Sequence, residues 1–418
     1  MKKIIMIPIL IFLGKTMTAQ QIVGLEDVME HIKHQSTHLL RFDAEIRSQD
    51  EAVKGAYSWM PPEVGTGFWM TPYNLKLTKK GDNGMTGMGQ YMISAQQMFP
   101  NRKKQNAEAS YLAGMSAVTK EKKKAMENDL VAEAKKNYYQ WLVDKKKESV
   151  ISENEKLVDF MIKSAEIRYK NGIGKIDAYY KAKAALGTIH NMQLMLQNDI
   201  LQKRIALNTL MHRSKTEEFD IDTTFRIKDY SNIILDSISL LNTRSDIKAV
   251  GKEKDLFYLE QIFEKAKLKP EFGIEYDHMF GFGGFPMQFT LMAKVKLPMV
   301  SWASRANRAN IESLKWKALS LEIEQEVATN EALGMAYGMK AESNTRQKQL
   351  RIYEGEIIPA LKRNFQTVQM AYEQNTEELF VLYDAWEKLN NAQQEYLDLL
   401  QQLLTTQAEL DRILEVKE

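Results

Sequence analysis

Two runs in the second half of the chain alternate apolar and polar residues with a period of two. Phe272, Ile274 and Tyr276 alternate with Gly273, Glu275 and Asp277; after a turn containing Gly281, Gly283 and Gly284, the residues Phe289, Leu291, Ala293, Val295 and Leu297 alternate with Gln288, Thr290, Met292, Lys294 and Lys296. That period gathers the apolar side chains of a strand on one face. Each run is about ten residues, the length of a tilted strand crossing a bilayer in a β-barrel. A fainter copy lies in the first half, where Val64, Thr66, Phe68 and Met70 lead out, Gly81-Asp82-Asn83-Gly84 makes a polar loop, and Tyr91, Ile93 and Ala95 return. Trp59, Trp69, Tyr73 and Trp302 stand near the ends of these runs, where an aromatic girdle would lie. Alternation alone fits a pair of hairpins on a soluble sheet equally well.

The helical segments weigh against that simpler reading. Between Asn101 and Arg168 there is no proline and a single glycine, Gly114. Some 68 residues can therefore run as one rod of about 100 Å at ~1.5 Å per residue. A second rod returns from about Lys175 to Arg213. Ala303 to Ala371, with Pro359 late in it, and Glu377 to Val416 repeat the plan. Leu397, Leu400, Leu404 and Ala408 have the 3/4 spacing of a coiled-coil seam, and Lys and Glu cover the other faces.

The repetition extends to individual residues. Under a shift of 203, Tyr169, Tyr180, Ala182, Leu186, Leu194, Leu201 and Leu207 fall on Tyr372, Tyr383, Ala385, Leu389, Leu397, Leu404 and Leu410 without a gap. Farther upstream the register drifts: Pro100 answers Pro298, and Pro62 answers Pro270. Each half thus reads helix, proline, hairpin, proline, then more than a hundred helical residues. The expected layout is a first repeat over 20–213, with a hairpin at about 62–98 and a helical pair at 101–213. A linking segment over 214–237 follows, then a second repeat over 238–418, with a hairpin at about 270–297 and a helical pair at 301–416. Four strands cannot close a barrel alone, because their edges would stay unpaired in lipid. Three copies would supply twelve.

Composition narrows the function. The 418 residues include no cysteine, which excludes disulfides, thiolate metal sites and a cysteine nucleophile. With 57 basic and 55 acidic residues the formal charge is +2, and no basic run suggests a nucleic-acid footprint. Lys2-Lys3, the apolar stretch Ile4 to Gly14 and Thr18-Ala19 read as a secretory signal over residues 1–19 cut after Ala19, with Met17 bulky at the −3 position. No later stretch approaches twenty apolar residues.

At the joints and tips the sequence resembles the TolC-like outer-membrane efflux family. The matching stretches are Met98-Phe99-Pro100-Asn101-Arg102 and Leu297-Pro298-Met299-Val300-Ser301, then Arg244-Ser245-Asp246-Ile247, and the tips Arg168-Tyr169-Lys170-Asn171-Gly172 and Ala371-Tyr372-Glu373-Gln374-Asn375. The resemblance implies an α+β membrane protein: a homotrimeric twelve-stranded β-barrel, four strands per chain, continued into a periplasmic α-helical coiled-coil tunnel. Such a protein sits in the outer membrane with its helices in the periplasm. It would be the exit duct of a tripartite efflux system, receiving substrate from an inner-membrane pump, of the resistance-nodulation-division type, through a periplasmic adaptor. A type I protein secretion duct and a soluble periplasmic coiled-coil scaffold are the alternatives. The resemblance also implies that the tips, Gly172, Ile173, Gly174, Asn375 and Thr376, dock the adaptor. Asn375 stands where the family usually has glycine, which a left-handed turn tolerates. Tyr383-Asp384-Ala385 occupies the place of the family's inner-entrance aspartate, while Val381 replaces a second one. Asp177 would be a polar partner holding the coils shut, although Glu377 replaces the basic residue expected opposite.

Other constellations point elsewhere. His31, His34 and His38, after Asp27, have metal-ligand spacing on one face of a helix, against a plain polar stripe. Tyr138, Tyr139 and Trp141 suggest either a ligand platform or helix packing. There is no phosphate-binding glycine loop of Walker type, no nucleophile elbow and no helical His-Glu-x-x-His, so neither an enzyme nor a cofactor is expected; a metal-dependent secreted enzyme would have to rest on the histidines. Met60, Met70, Met85, Met88, Met92 and Met98 crowd the first hairpin, either as compliant apolar filler or as thioethers suited to soft ions such as Cu(I).

Overall fold

The computed structural model describes residues 22–415, apart from residues 83 and 174 and the side chain of residue 178. The signal over 1–19, Gly174 and the last turn at Val416 lie outside the described residues. In chain order the elements are β1 (Ile22–Val23), α1 (Leu25–Gln35), α2 (Thr37–Gly55), β2 (Glu63–Trp69), β3 (Gln90–Phe99), α3 (Arg102–Lys170), α4 (Ile176–Leu210), β4 (Asp220–Ile221), α5 (Ser237–Thr243), α6 (Ser245–Lys267), β5 (Glu271–Gly281), β6 (Gln288–Lys296), α7 (Arg305–Ile352), α8 (Ile358–Glu373) and α9 (Leu379–Leu414). No described helix is long and apolar enough to cross a membrane. The chain forms two compact units, and each draws on both halves of the sequence.

One unit comprises Thr37–Asn128, Ile234–Tyr337 and the C-terminal residues from Ile413. Its centre is an antiparallel sheet in the order β2-β3-β5-β6, so the two hairpins predicted from the sequence join along β3 and β5. The register lines up Val64, Ala95, Tyr276 and Leu291 across the four strands, and Phe68, Tyr91 and Phe280 across three. Residues directly opposite one another share a face. One face therefore carries Val64, Phe68, Ile93, Phe272, Ile274, Tyr276, Phe289, Leu291 and Val295, all exposed. The other carries Gln90, Ser94, Gln96, Glu271, Glu275, Asp277, Thr290, Lys294 and Lys296. Edge-to-face and tilted ring contacts of 4.4 to 6.3 Å chain His278, Phe280, Tyr91, Phe68 and Phe282 across the apolar face. At the opposite end Trp59 meets Phe99 edge-on at 5.8 Å. Met70 does not continue β2; it lies beyond the strand with φ 49°. Gly273 is required by close approach, since a Cβ there would sit 2.9 Å from the Gln97 carbonyl oxygen, with the Met98 sulfur closer still. Beyond the sheet, Leu240, Ile247 and Ala332 form a small core, and Glu415 accepts from the Ser245 amide and hydroxyl at 2.5 Å each.

The other unit comprises the described residues up to Ser36, Asp129–Ile233 and Gly338–Arg412. Its core is the coiled-coil seam foreseen in the sequence: Leu397, Leu400, Leu404 and Ala408 are all buried. Each fully buried leucine contributes roughly 1.5–3 kcal/mol. The segment 214–237 is strapped down by polar contacts, with Asp411 accepting from Lys228 at 2.8 Å and from the Tyr230 hydroxyl, and Gln407 donating to the Lys228 carbonyl at 2.8 Å. Tyr138 and Trp141 pack rather than present a platform. The Tyr138 hydroxyl donates to the Asp222 carbonyl at 2.8 Å, and Trp141 meets Phe219 at 5.1 Å. Burial pushes the Tyr138 hydroxyl up to about 12.

The helices keep one register throughout. Helix α3 runs 102–170, and the path from α7 through α8 runs 305–373, the same span displaced by 203. The drift seen at the prolines is confined to the hairpins: β6 ends at Lys296, and a turn in which Ser304 donates to the Val300 carbonyl at 2.9 Å precedes α7. The second outbound helix is not uniformly α-helical, as its sequence pattern suggested. Pro359 has no N–H to offer Gly355, and just before it the winding opens to a π turn over Tyr353–Ile357, where the Ile358 N–H donates to the Tyr353 carbonyl five residues back. The histidine stripe is broken as well. Helix α1 ends at Gln35 with Ser36 as its cap, and His38 lies in the first turn of a different helix, so the three rings do not share one helix face.

The exposed apolar face of the sheet is expected to meet hydrocarbon. Leu291→Arg should then weaken assembly by about 2–4 kcal/mol if the position is near the bilayer midplane, whereas Thr290→Arg, on the polar face, is tolerated. The fraction of heat-resistant oligomer on a gel measures both; equal damage from the two would reverse the assignment of faces.

Candidate functional site

The two tips are built alike because both helices end the same way. At the first, the Ile173 N–H donates to the Arg168 carbonyl and the Gly172 N–H to the Tyr169 carbonyl, each at 3.0 Å. At the second, Thr376 donates to Ala371 at 2.9 Å and Asn375 to Tyr372 at 3.1 Å. These are paired Schellman closures, which place one residue in the left-handed region. Gly172 has φ 72° and Asn375 has φ 60°, so the asparagine takes the left-handed role its sequence position implied. Ile173 projects into solvent, and the Thr376 hydroxyl donates to the Ala371 carbonyl at 2.9 Å.

Between the helix ends beneath these turns lies a cavity of about 730 Å³, lined among others by Arg168, Lys175, Asp177, Tyr372, Glu378 and Phe380. Its floor is fixed by an interaction that the duplication hides. Tyr169 and Tyr372 are equivalent in sequence, yet Tyr169 is 49% exposed and Tyr372 only 1%. The Arg168 guanidinium stacks over the Tyr372 ring at 3.7 Å and donates to the Tyr372 carbonyl, while the Tyr372 hydroxyl donates to Ser164 Oγ at 3.1 Å. A half-buried guanidinium–ring contact of this kind adds about 0.5–2 kcal/mol. On the other wall Lys181 lies 4.1 Å from the Phe380 ring centre and 4.3 Å from that of Tyr383.

Tyr383 packs against Trp386 at 5.3 Å, and burial, then the Glu387 charge, raises its hydroxyl above the usual tyrosine value. The Trp386 indole donates to Asn154 Oδ1 at 2.7 Å, and Asn154 Nδ2 donates to Asn390 at 2.9 Å. Asp384, one residue on, is half-exposed and ion-paired with Lys388 at 2.9 Å. Asp177 lies in the exposed first turn of α4. The tip residues and Asp177 thus gather around one end of the coil with Tyr383 behind them. His31 lies away from them: the Arg213 guanidinium approaches its ring at 3.5 Å. Among the described residues no group of three His, Asp or Glu side chains could hold a metal ion. Sequence reasoning missed the Arg168–Tyr372 stack, Lys181 and the Asn154–Trp386 pair. The only available signal was that Arg168 and Lys181 have Ala371 and Asp384 as their repeat partners, a divergence inside a conserved plan.

Residues 28–212, which span most of the first repeat, match the sequence model of the family described as outer membrane efflux protein. Over that stretch the chain is similar to the outer membrane efflux proteins. No curated protein sequence matches it. Among solved structures, the outer-membrane channel OprN is similar over 93% of this chain and 89% of its own, with a TM-score of 0.74 at 16% identity. CusC, whose description concerns folding and transmembrane channel formation, gives 0.75 at 14% identity over 93% and 91%. VceC of Vibrio cholerae, an outer membrane protein, gives 0.72 at 15% over 93% and 95%. At these identities the likeness establishes the fold, and it covers both repeats of this chain.

The backbone at the second tip supplies a direct check. Asn375→Gly is expected to be neutral or slightly stabilising, whereas Asn375→Val, with a branched Cβ forced to positive φ, should cost about 1–2 kcal/mol. Thermal unfolding of the two variants measures the difference.

Proposed function

We propose that this chain is one protomer of a homotrimeric outer-membrane exit duct, which conducts substrate expelled by an inner-membrane pump by way of a periplasmic adaptor. One observation carries the reading: a four-stranded sheet with an exposed apolar face, a charged opposite face and unpaired edges at β2 and β6. In hydrocarbon those edge N–H and C=O groups must be satisfied, and copies of the same sheet offer matching edges. Twelve strands from three chains close the barrel, with the polar face lining the lumen. The duct is passive, since a channel needs no catalytic group. A pump of the resistance-nodulation-division type fits the resemblance in the joint and tip motifs. Outer-membrane fractionation with detergent extraction tests the proposal: a duct stays in the outer membrane and migrates as a trimer, and recovery as a soluble monomer would overturn it.

The adaptor is proposed to meet the twin tips, because both repeats present the same closure and three chains would offer six such turns in a ring. The cavity beneath, with Ile173 exposed at its rim, gives an adaptor hairpin an apolar foothold between charged walls. Gly172→Asp combined with Asn375→Arg is expected to abolish export while leaving the heat-resistant trimer intact. Export at the native level in that double variant would remove the turns from the docking surface.

Asp384 is proposed to line the periplasmic entrance, with Tyr383 and Asp177 helping to hold it narrow. Three carboxylates around one opening repel one another and favour cations. Lys388, already paired with Asp384, tempers that ring. In planar bilayers Asp384→Ala should lower cation selectivity and divalent block, and Lys388→Ala should raise both. Unchanged reversal potentials in both variants would place Asp384 away from the gate.

A further inference from the structure

The polar face of the sheet holds a side-chain cluster that a passive duct does not require. Met92 on β3 lies directly opposite Met279 on β5, and Ser94 lies opposite Asp277. On the next strand Thr290 lies opposite Asp277, and Met292 lies opposite Glu275. Asp277 is thus the centre of a block in which Met279 is its neighbour along the strand and Met92 and Met292 are its diagonal neighbours, about 7–8 Å away, within reach of a long flexible side chain.

Asp277 is only 5% exposed, and its Oδ1 has no hydrogen-bond partner. The polar groups around it are engaged with one another. Glu275 is ion-paired with Lys294, Lys294 also donates to Gln96 at 2.5 Å, and Gln90 donates to Gln288 at 3.1 Å. A buried carboxylate oxygen without a donor is costly unless a cation or proton reaches it. The thioethers beside it cannot donate a hydrogen bond, but they are ligands for soft monovalent ions. A hard divalent ion would need several oxygen ligands, and this block offers a single unpaired carboxylate. On the apolar face methionine would be ordinary filler; on the polar face, around an unpaired carboxylate, it makes a donor set.

We infer that Met92, Met279, Met292 and Asp277 form a binding site for one soft monovalent cation, Cu(I) or Ag(I), on the polar face of the sheet. The sulfurs supply the affinity and Asp277 cancels the charge. The inference rests on the duct reading only in placing this site in the lumen.

Silver(I) is the probe, because it stays monovalent without a reductant. The purified, folded oligomer in chloride-free nitrate buffer is titrated with silver nitrate by calorimetry, and bound metal is counted by native mass spectrometry. One silver ion per chain is expected. The combined variant Met92→Leu, Met279→Leu, Met292→Leu should lose that ion or bind it at least tenfold more weakly, and Asp277→Asn should also weaken it. The loop variant Met60→Leu, Met85→Leu, Met88→Leu should bind normally, and a hundredfold excess of magnesium should not compete. Retention of silver by the triple leucine variant, loss of it in the loop variant, or displacement by magnesium would each overturn the site. Planar-bilayer conductance of the same preparations separates the two ideas: a conducting oligomer that ignores silver sinks only the metal site, whereas a preparation that never conducts sinks the duct.

Discussion

The outer strands β2 and β6 each turn one row of backbone N–H and C=O groups away from the sheet, and among the described residues no other strand pairs with them. In water such edges are a liability; in hydrocarbon each unsatisfied group costs several kcal/mol. A sheet with Leu291 and Phe289 exposed on one face and Lys294 and Glu275 on the other has only one environment that suits both faces, a wall between lipid and water. In the proposed duct the edges would decide the oligomer, because only a closed ring removes them. Barrel and trimer would both be consequences of that single deficit of partners.

How much of this was legible depends on how local the cause is. Strand alternation and uninterrupted helix are properties of neighbouring residues, and there the reading was close: β3 and β6 lie within a residue or two of their expected ends, and α3 spans 102–170 against an expected rod from 101 to about 168. The left-handed turn at Asn375 was legible for the same reason, since a short polar side chain at a helix end has few alternatives. Joining the two hairpins through β3 and β5 is non-local, and no feature of either hairpin alone specifies it. The π turn before Pro359 is a response to a missing N–H, so the proline was visible while the widening was not.

The candidate site was legible as backbone and opaque as side chains. Equal helix spans under one shift placed both tips correctly, but equivalence in sequence did not mean equivalence in environment. Tyr372 is buried and Tyr169 is not, because the arginine that covers a tyrosine ring is present in one repeat only: Arg168 has Ala371 as its counterpart. The histidines failed for a related reason. Their spacing assumed a continuous helix, and the extended backbone at Ser36 ends it between His34 and His38.

Duplication followed by divergence explains why the tip carries information that the rods do not. Under the shift of 203 the helical spans coincide residue for residue, so a six-fold arrangement of turns would come from equal helix lengths alone. The side chains then break that symmetry in charge: Lys181 faces two rings where its counterpart Asp384 is ion-paired with Lys388, and Asp177 has Phe380 as its counterpart. A ring built from both repeats would alternate basic and acidic positions instead of stacking like charges. Such alternation costs less than six equal charges in a narrow opening, since neighbouring positions attract where identical ones would repel. In the proposed trimer Asp384 would contribute three carboxylates from one repeat, each tempered by its own Lys388. An entrance of the proposed kind would attract cations mildly and respond to single substitutions.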